Sequence, residues 1–187
     1  MPGHTRQSFV PVALESLLSF RDLFIEPRCS CNVHEQVSID FKLKVSMRIC
    51  GVDLTGNDAV ICLLVKGNGD FNLPDCRVRK LTLKKEHTGE DLRQFQIDFA
   101  TLMSEYDVDK VVIRERMPRG KFAGGAISFK LEAALQLIQD LDVNLLPPSQ
   151  INSTLADNPL SIKISDTELK AFQEAAFKTA YAACVSH

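Results

Sequence analysis

The residues with most chemistry to offer are acids that close apolar runs. Asp53 follows Ile49-Cys-Gly-Val52, and Glu115 follows Val111-Val-Ile-Arg114. An ionisable group at the end of a central strand is costly unless it has a partner or a metal. If the two strands pair in parallel, both carboxylates emerge at the carboxyl edge of the sheet, where open α/β sheets form their sites. Unpaired, they would repel one another. A divalent cation removes that repulsion, and Mg²⁺ (or Mn²⁺) prefers carboxylate and water oxygens. Two such ions about 3.5–4 Å apart can activate water and stabilise the leaving oxygen of a phosphodiester. Such a site usually needs a third acid, and the last helical stretch offers Asp166 and Glu174. The simpler roles for Asp53 and Glu115 are a turn acid and an ion pair with Arg114 or Arg116. Glu174 is equally readable as a solvated helix acid, and Asp166 as a favourable first-turn acid.

Around Glu115 lies a dense basic cluster: Arg114, Arg116, Arg119, Lys121 and, further on, Lys130. Such side chains neutralise phosphates and position a nucleic-acid backbone without reading sequence. Gly120 and Gly124-Gly125 would let that loop lie close to a phosphate. The Gly120-Lys121 pair is not a Walker motif, because the preceding spacing and the following Ser or Thr are absent. The alternative is a solvated turn whose charges offset Glu115 and Glu132. The four histidines form no sequence constellation with a Ser or Cys nucleophile, so a hydrolase triad is unsupported.

These residues need elements to position them. Residues 47–54 read as a strand, 55–58 as a turn, and the apolar run 59–65 as a strand buried on both faces. Residues 77–84 alternate polar and apolar, as an antiparallel strand with one exposed face does. A helix is expected over 90–105, with Thr88 as its cap and Asp91 completing a capping box. A strand over 110–115 follows, then a helix over 126–140. A short strand over 143–146 is stopped by Pro147-Pro148, and a last helix spans 166–184 with Ser165 as its cap. The expected fold is α/β, with a mixed five-stranded sheet: three antiparallel strands, then alternating helix and strand, with helices on both faces.

Residues 1–46 differ from the rest. A helical apolar pattern (Leu14, Leu17, Leu18, Leu23, Phe24) precedes an irregular stretch, and Met47 stands immediately before the first strand. The segment reads as an appendage, from an upstream-extended reading frame, or as a docked helix; the domain proper is 47–187. Cys29, Cys31 and His34 lack a fourth ligand and zinc-finger spacing.

The chain has 187 residues, 45% of them hydrophobic and 25% charged, within the size and composition of one globular domain. A net charge of −2 gives no global pull toward nucleic acid, so such binding needs a local patch. The six cysteines are scattered and read as buried thiols rather than a disulfide framework. Without an apolar run long enough to span a membrane or a signal peptide, a cytoplasmic location is expected.

The order of elements and the motifs together resemble the ribonuclease H-like superfamily, in particular the RuvC-type resolvases, over residues 47–187. Ile49-Cys-Gly-Val-Asp-Leu-Thr-Gly56 is similar to the resolvase opening that carries the first metal ligand. Val112-Ile-Arg-Glu115 resembles the fourth-strand motif ending in the metal-binding glutamate. More closely, Arg114 to Ala126 with Phe129-Lys-Leu-Glu-Ala133 is similar to a bacterial family known only as a domain of unknown function. The resemblance implies the ribonuclease H-like fold, nucleic acid as partner and, by analogy with resolvases, a homodimer. It departs where the resolvases' last helix carries a close pair of aspartates; here Asp166 and Glu174 stand eight residues apart. Two functions follow. One is a Mg²⁺-dependent phosphodiester hydrolase on structured nucleic acid, with Asp53, Glu115 and Asp166 or Glu174 on the metal. The other is a non-catalytic nucleic-acid or protein-binding module. A relative of the actin-like ATPases would need a second subdomain and a phosphate loop that the sequence lacks.

Overall fold

The computed structural model describes residues 46–120, 123–160, 162 and 164–186. The N-terminal apolar pattern, the Cys29/Cys31/His34 group and Lys121 lie outside them.

Strand β1 (Met47–Thr55) turns at Gly56-Asn57 into β2 (Asp58–Lys66), a hairpin paired from Met47↔Lys66 to Thr55↔Asp58. Gly56 takes φ 63°, the left-handed conformation that a two-residue hairpin turn demands. Strand β5 (Lys110–Arg114) lies parallel to β1 on its other side, and β6 (Val143–Leu146) is parallel to β5. The outer edge of β2 is shared by two short antiparallel pieces, β3 (Phe71–Asn72) and β4 (Lys80–Thr82). The mixed α/β sheet is therefore as expected, but with six strands. The third strand expected over 77–84 shrinks to Lys80–Thr82. The Ile61 carbonyl, midway along β2, accepts the Gln173 side-chain amide at 2.8 Å, and the chain bends at Arg77 and Arg79, where the Cys76 thiol donates to the Val78 carbonyl.

Helices cover both faces. Helix α1 (Gly89–Glu105) has the expected capping box: the Asp91 N–H donates to the Thr88 hydroxyl, and the Thr88 N–H to the Asp91 carboxylate at 2.9 Å. Its stripe of Phe95, Phe99, Leu102 and Met103 is buried with Cys50, Val52 and Leu54 of β1 and Leu131 and Leu135 of α2 (Ala126–Gln136). Helix α2 stops four residues short of the expected 140, and Asp140 sits at φ 60°, outside the right-handed helical region.

The opposite face holds α3 (Pro148–Asp157) and α4 (Glu174–Val185), packed on Ile49, Val60, Cys62 and Val112. Helix α3 was not expected. Pro148 stands at a first helical position, where a missing N–H costs nothing and the proline φ suits the helix, so the Pro147-Pro148 pair starts a helix rather than only stopping a strand. The last helix begins at Glu174, eight residues later than expected, after 3-10 turns at Ile164–Asp166 and Ala171–Gln173. Ser165 does not cap it: its hydroxyl bonds the adjacent Asp166 carboxylate at 2.9 Å. Gln173 is 3% exposed, and its bonds to Ile61 and to the Lys170 N–H fix the turn on the sheet just before α4 starts.

Cys50, Cys62, Cys76 and Cys184 are buried free thiols. Burial pushes Cys62 up to about 12 and Cys184 up to about 11, so both stay protonated at neutral pH. Among the described residues no helix is long and apolar enough to cross a membrane.

Candidate functional site

The parallel register decides which side chains meet at the carboxyl edge of the sheet. The β1–β5 ladder runs from Ile49↔Lys110 to Val52↔Ile113, so the next residues along it are Asp53 and Arg114. In β1, Cys50, Val52 and Leu54 belong to the α1/α2 face, which sends Asp53 to the α4 face. In β5, Val111 and Ile113 also belong to the α1/α2 face, so Arg114 shares the α4 face with Asp53. Glu115 falls on the other side.

Asp53 is 7% exposed and surrounded by donors. The Thr55 hydroxyl donates to its Oδ2 at 2.9 Å. Its Oδ1 receives one guanidinium nitrogen of Arg114 at 3.4 Å and one of Arg116 at 3.5 Å. Both are long hydrogen bonds, but two cations at one buried carboxylate balance its charge. The simpler role, an ion pair with these arginines, is the one the structure gives to Asp53.

Glu115 continues the strand ladder, its N–H donating to the Leu146 carbonyl at 3.0 Å, and lies near Glu132 of α2. Glu132 is the residue that sequence reasoning undervalued, having been treated only as a charge to be offset. Burial pushes its carboxyl above the usual range, the Arg116 N–H and guanidinium pull it down, and the Glu115 charge pushes it up again. The sequence signal was its place one helical position after Leu131, on the edge of the buried stripe. Two buried atoms here, Arg116 Nε and Glu132 Oε2, have no hydrogen-bond partner among the described residues.

The raised Glu132 carboxyl sets a pH dependence. The unfolded chain releases this proton first, so folding loses stability as pH rises from the ordinary carboxylate range through the raised folded value. Glu132→Gln keeps an acceptor for the Arg116 N–H. Its thermal midpoint should exceed that of the parent at pH 7.5, with the gain gone at pH about 4. Melts of both proteins at the two pH values check this.

The other expected site residues disperse. Asp166 stands on the first 3-10 turn at an apolar cavity of about 400 Å³ walled by Leu63, Phe71, Leu73, Phe177 and Tyr181. Glu174 heads α4, bonds Lys178 at 2.6 Å, and lines a separate groove with Arg114. Arg119 is exposed on the turn after β5, which is closed by the Gly124 N–H donating to the Met117 carbonyl at 2.9 Å. Lys130 is exposed on α2, with its Nζ 3.4 Å from His87 Nε2.

Among the described residues no three Asp, Glu, His or Cys side chains are gathered closely enough to hold a metal ion. Asp53, the first ligand implied by the resolvase likeness, instead faces two cations, and Asp166 lies at another cavity. This donor set does not fit a carboxylate-bound divalent cation.

Two solved structures share the architecture. "Thermus thermophilus RuvC structure" matches with a TM-score of 0.57 and 11% identity, over 73% of this chain and 92% of that chain. T. thermophilus RuvC in complex with Holliday junction substrate matches with a TM-score of 0.53 and 12% identity, over 73% and 91%. Likeness at this identity establishes the ribonuclease H-like fold and nothing finer. No curated protein matches in sequence. The family described as "Protein of unknown function (DUF3010)" matches residues 47–183.

Proposed function

We propose that this chain, which belongs to the DUF3010 family of proteins of unknown function, binds the phosphate backbone of structured nucleic acid at the carboxyl edge of β1 and β5. The observation that carries this reading is the pair of guanidinium groups brought together on Asp53. A buried carboxylate that orders two arginines lowers the entropy lost when they grip a phosphate, and the planar guanidinium suits phosphate oxygens. Arg119 and Lys130 are exposed nearby in the chain, and Lys121 falls between them in sequence. Support of a coarser kind comes from RuvC, whose fold the chain shares and which has been captured with a Holliday junction substrate.

The test is fluorescence anisotropy with labelled four-way DNA junction, duplex and single strand across a salt series. Binding should weaken steeply with salt. Arg119→Ala, Lys130→Ala, which leaves Asp53 and its partners intact, should lower the slope of log K against log salt by up to about 2, roughly 0.9 for each lost phosphate contact on duplex DNA. Failure of the parent protein to bind any of the three at about 50 mM salt would overturn the proposal.

A phosphodiester hydrolase using Mg²⁺ or Mn²⁺ is the second reading. It draws on Asp53 and Glu115 both standing at the carboxyl edge of the adjacent parallel strands β1 and β5, although strand alternation puts them on opposite faces of the sheet. Calorimetry of Mg²⁺ and Mn²⁺ on the parent and on Asp53→Asn, Glu115→Gln separates the two. Saturable binding that the double variant loses, with cleavage of a junction or an RNA–DNA hybrid, would replace the binding-module reading by the hydrolase.

A further inference from the structure

We propose that the groove between α3 and α4 takes one unpaired nucleotide of the bound nucleic acid, its base stacked on Phe172 and its phosphate at Arg114. The inference rests on the nucleic-acid reading above and assigns a substrate class to it: strands with an unpaired base.

Phe172 is 51% exposed. A single exposed apolar ring is ordinary, and alone it signifies nothing. Its setting is what counts. The ring is carried on the turn Ala171–Gln173, and the next residue, Gln173, is buried and bonded to the β2 backbone. The ring is thus presented from a fixed base rather than from a loose loop. It lines a groove of about 370 Å³ together with Arg114, Asn152, Glu174 and Lys178. That size suits a single nucleotide and excludes a duplex. An aromatic face beside cationic side chains is the combination by which single strands are held, the ring taking the base and the cations the backbone.

Arg114 joins this groove to the proposed backbone site, because the residue whose guanidinium contacts Asp53 is also a lining residue of the groove. A backbone on the sheet edge can therefore pass one nucleotide into the groove without leaving the arginines. Asn152 offers both a donor and an acceptor to a base edge. The Glu174 carboxylate repels a phosphate at its own end, although its ion pair with Lys178 offsets part of that charge. The phosphate accordingly belongs on the Arg114 side, and the base on the Phe172 side.

The experiment uses the full chain and a short single strand carrying 2-aminopurine, whose fluorescence falls when it stacks, with a duplex of equal length as control. The parent protein should quench the probe. Phe172→Ala should abolish quenching and weaken single-strand binding roughly 5- to 150-fold while leaving duplex binding unchanged, and Phe172→Tyr should preserve both. Because the ring is half exposed, its removal leaves the core intact, which circular dichroism verifies. If Phe172→Ala quenches and binds like the parent, the groove proposal is overturned and backbone binding stands. If the parent binds neither single strand nor duplex, both fall together.

Discussion

Asp53→Asn is expected to lower the thermal midpoint by about 4–8 °C, corresponding to a loss of about 2 kcal/mol in a chain of this size. The sign is the informative part. In a cluster of acids built for a metal, neutralising one carboxylate relieves repulsion and raises stability in the absence of the ion. Here the carboxylate side chain is 9% exposed and faces guanidinium groups 38% and 19% exposed. Neutralising it leaves two positive groups facing an amide, with Arg116 Nε already lacking a partner. Arg114 is open enough to water that its share is small, and most of the loss falls on Arg116. The isosteric change leaves packing untouched and removes the charge together with one of the two acceptor oxygens. Thermal melts without added metal decide the matter. A rise in midpoint would assign Asp53 to an acidic cluster and return weight to the hydrolase.

Gly51→Ala should be at least as damaging, with a loss of about 2–3 kcal/mol and a comparable fall in midpoint, because α4 lies directly on β1 at this residue. A Cβ at Gly51 would run into the Ala176 carbonyl and come within 2.7 Å of the Ala180 N and 2.8 Å of the Ala180 Cβ. These are backbone and short side-chain atoms with no freedom to rotate away. Relief requires α4 to lift from the sheet, and that helix also carries Glu174 and Lys178 of the groove. Denaturant melts give the size of the loss, and a reduced single-strand affinity in the folded fraction would show that the helix had moved. An unaltered midpoint would contradict the close approach of α4 to β1.

Much of the local structure was legible in the residues themselves. The seven apolar residues after Asp58 became β2, buried on both faces, and Thr88 with Asp91 made the capping box of α1. The strand over 77–84 formed only at Lys80–Thr82, because alternation reports only that one face is buried; it does not reveal that Gln173 takes the Ile61 carbonyl midway along the partner strand. The last helix formed but starts at Glu174 rather than 166, because its apolar stripe cannot say where Gln173 pins the chain before it. A proline at 148 ends a strand and equally suits the first turn of a helix, so its residue type does not choose between the two.

The sequence by itself determined the element types, the mixed α/β fold and the concentration of ionisable groups around Asp53 and Glu115, because periodicity, capping and turn chemistry act within a few residues. Only the tertiary structure decided which of those groups meet. Strands β1 and β5 are more than fifty residues apart in the chain, and their register places Arg114, not Glu115, alongside Asp53. Strand alternation then puts neighbouring residues on opposite faces, so a shift of one position separates two acids and brings arginine to the buried carboxylate. The same packing brings Glu132 to Glu115 and leaves Asp166 at another cavity. Lateral pairing and helix docking are long-range choices, and no local pattern in the sequence encodes them.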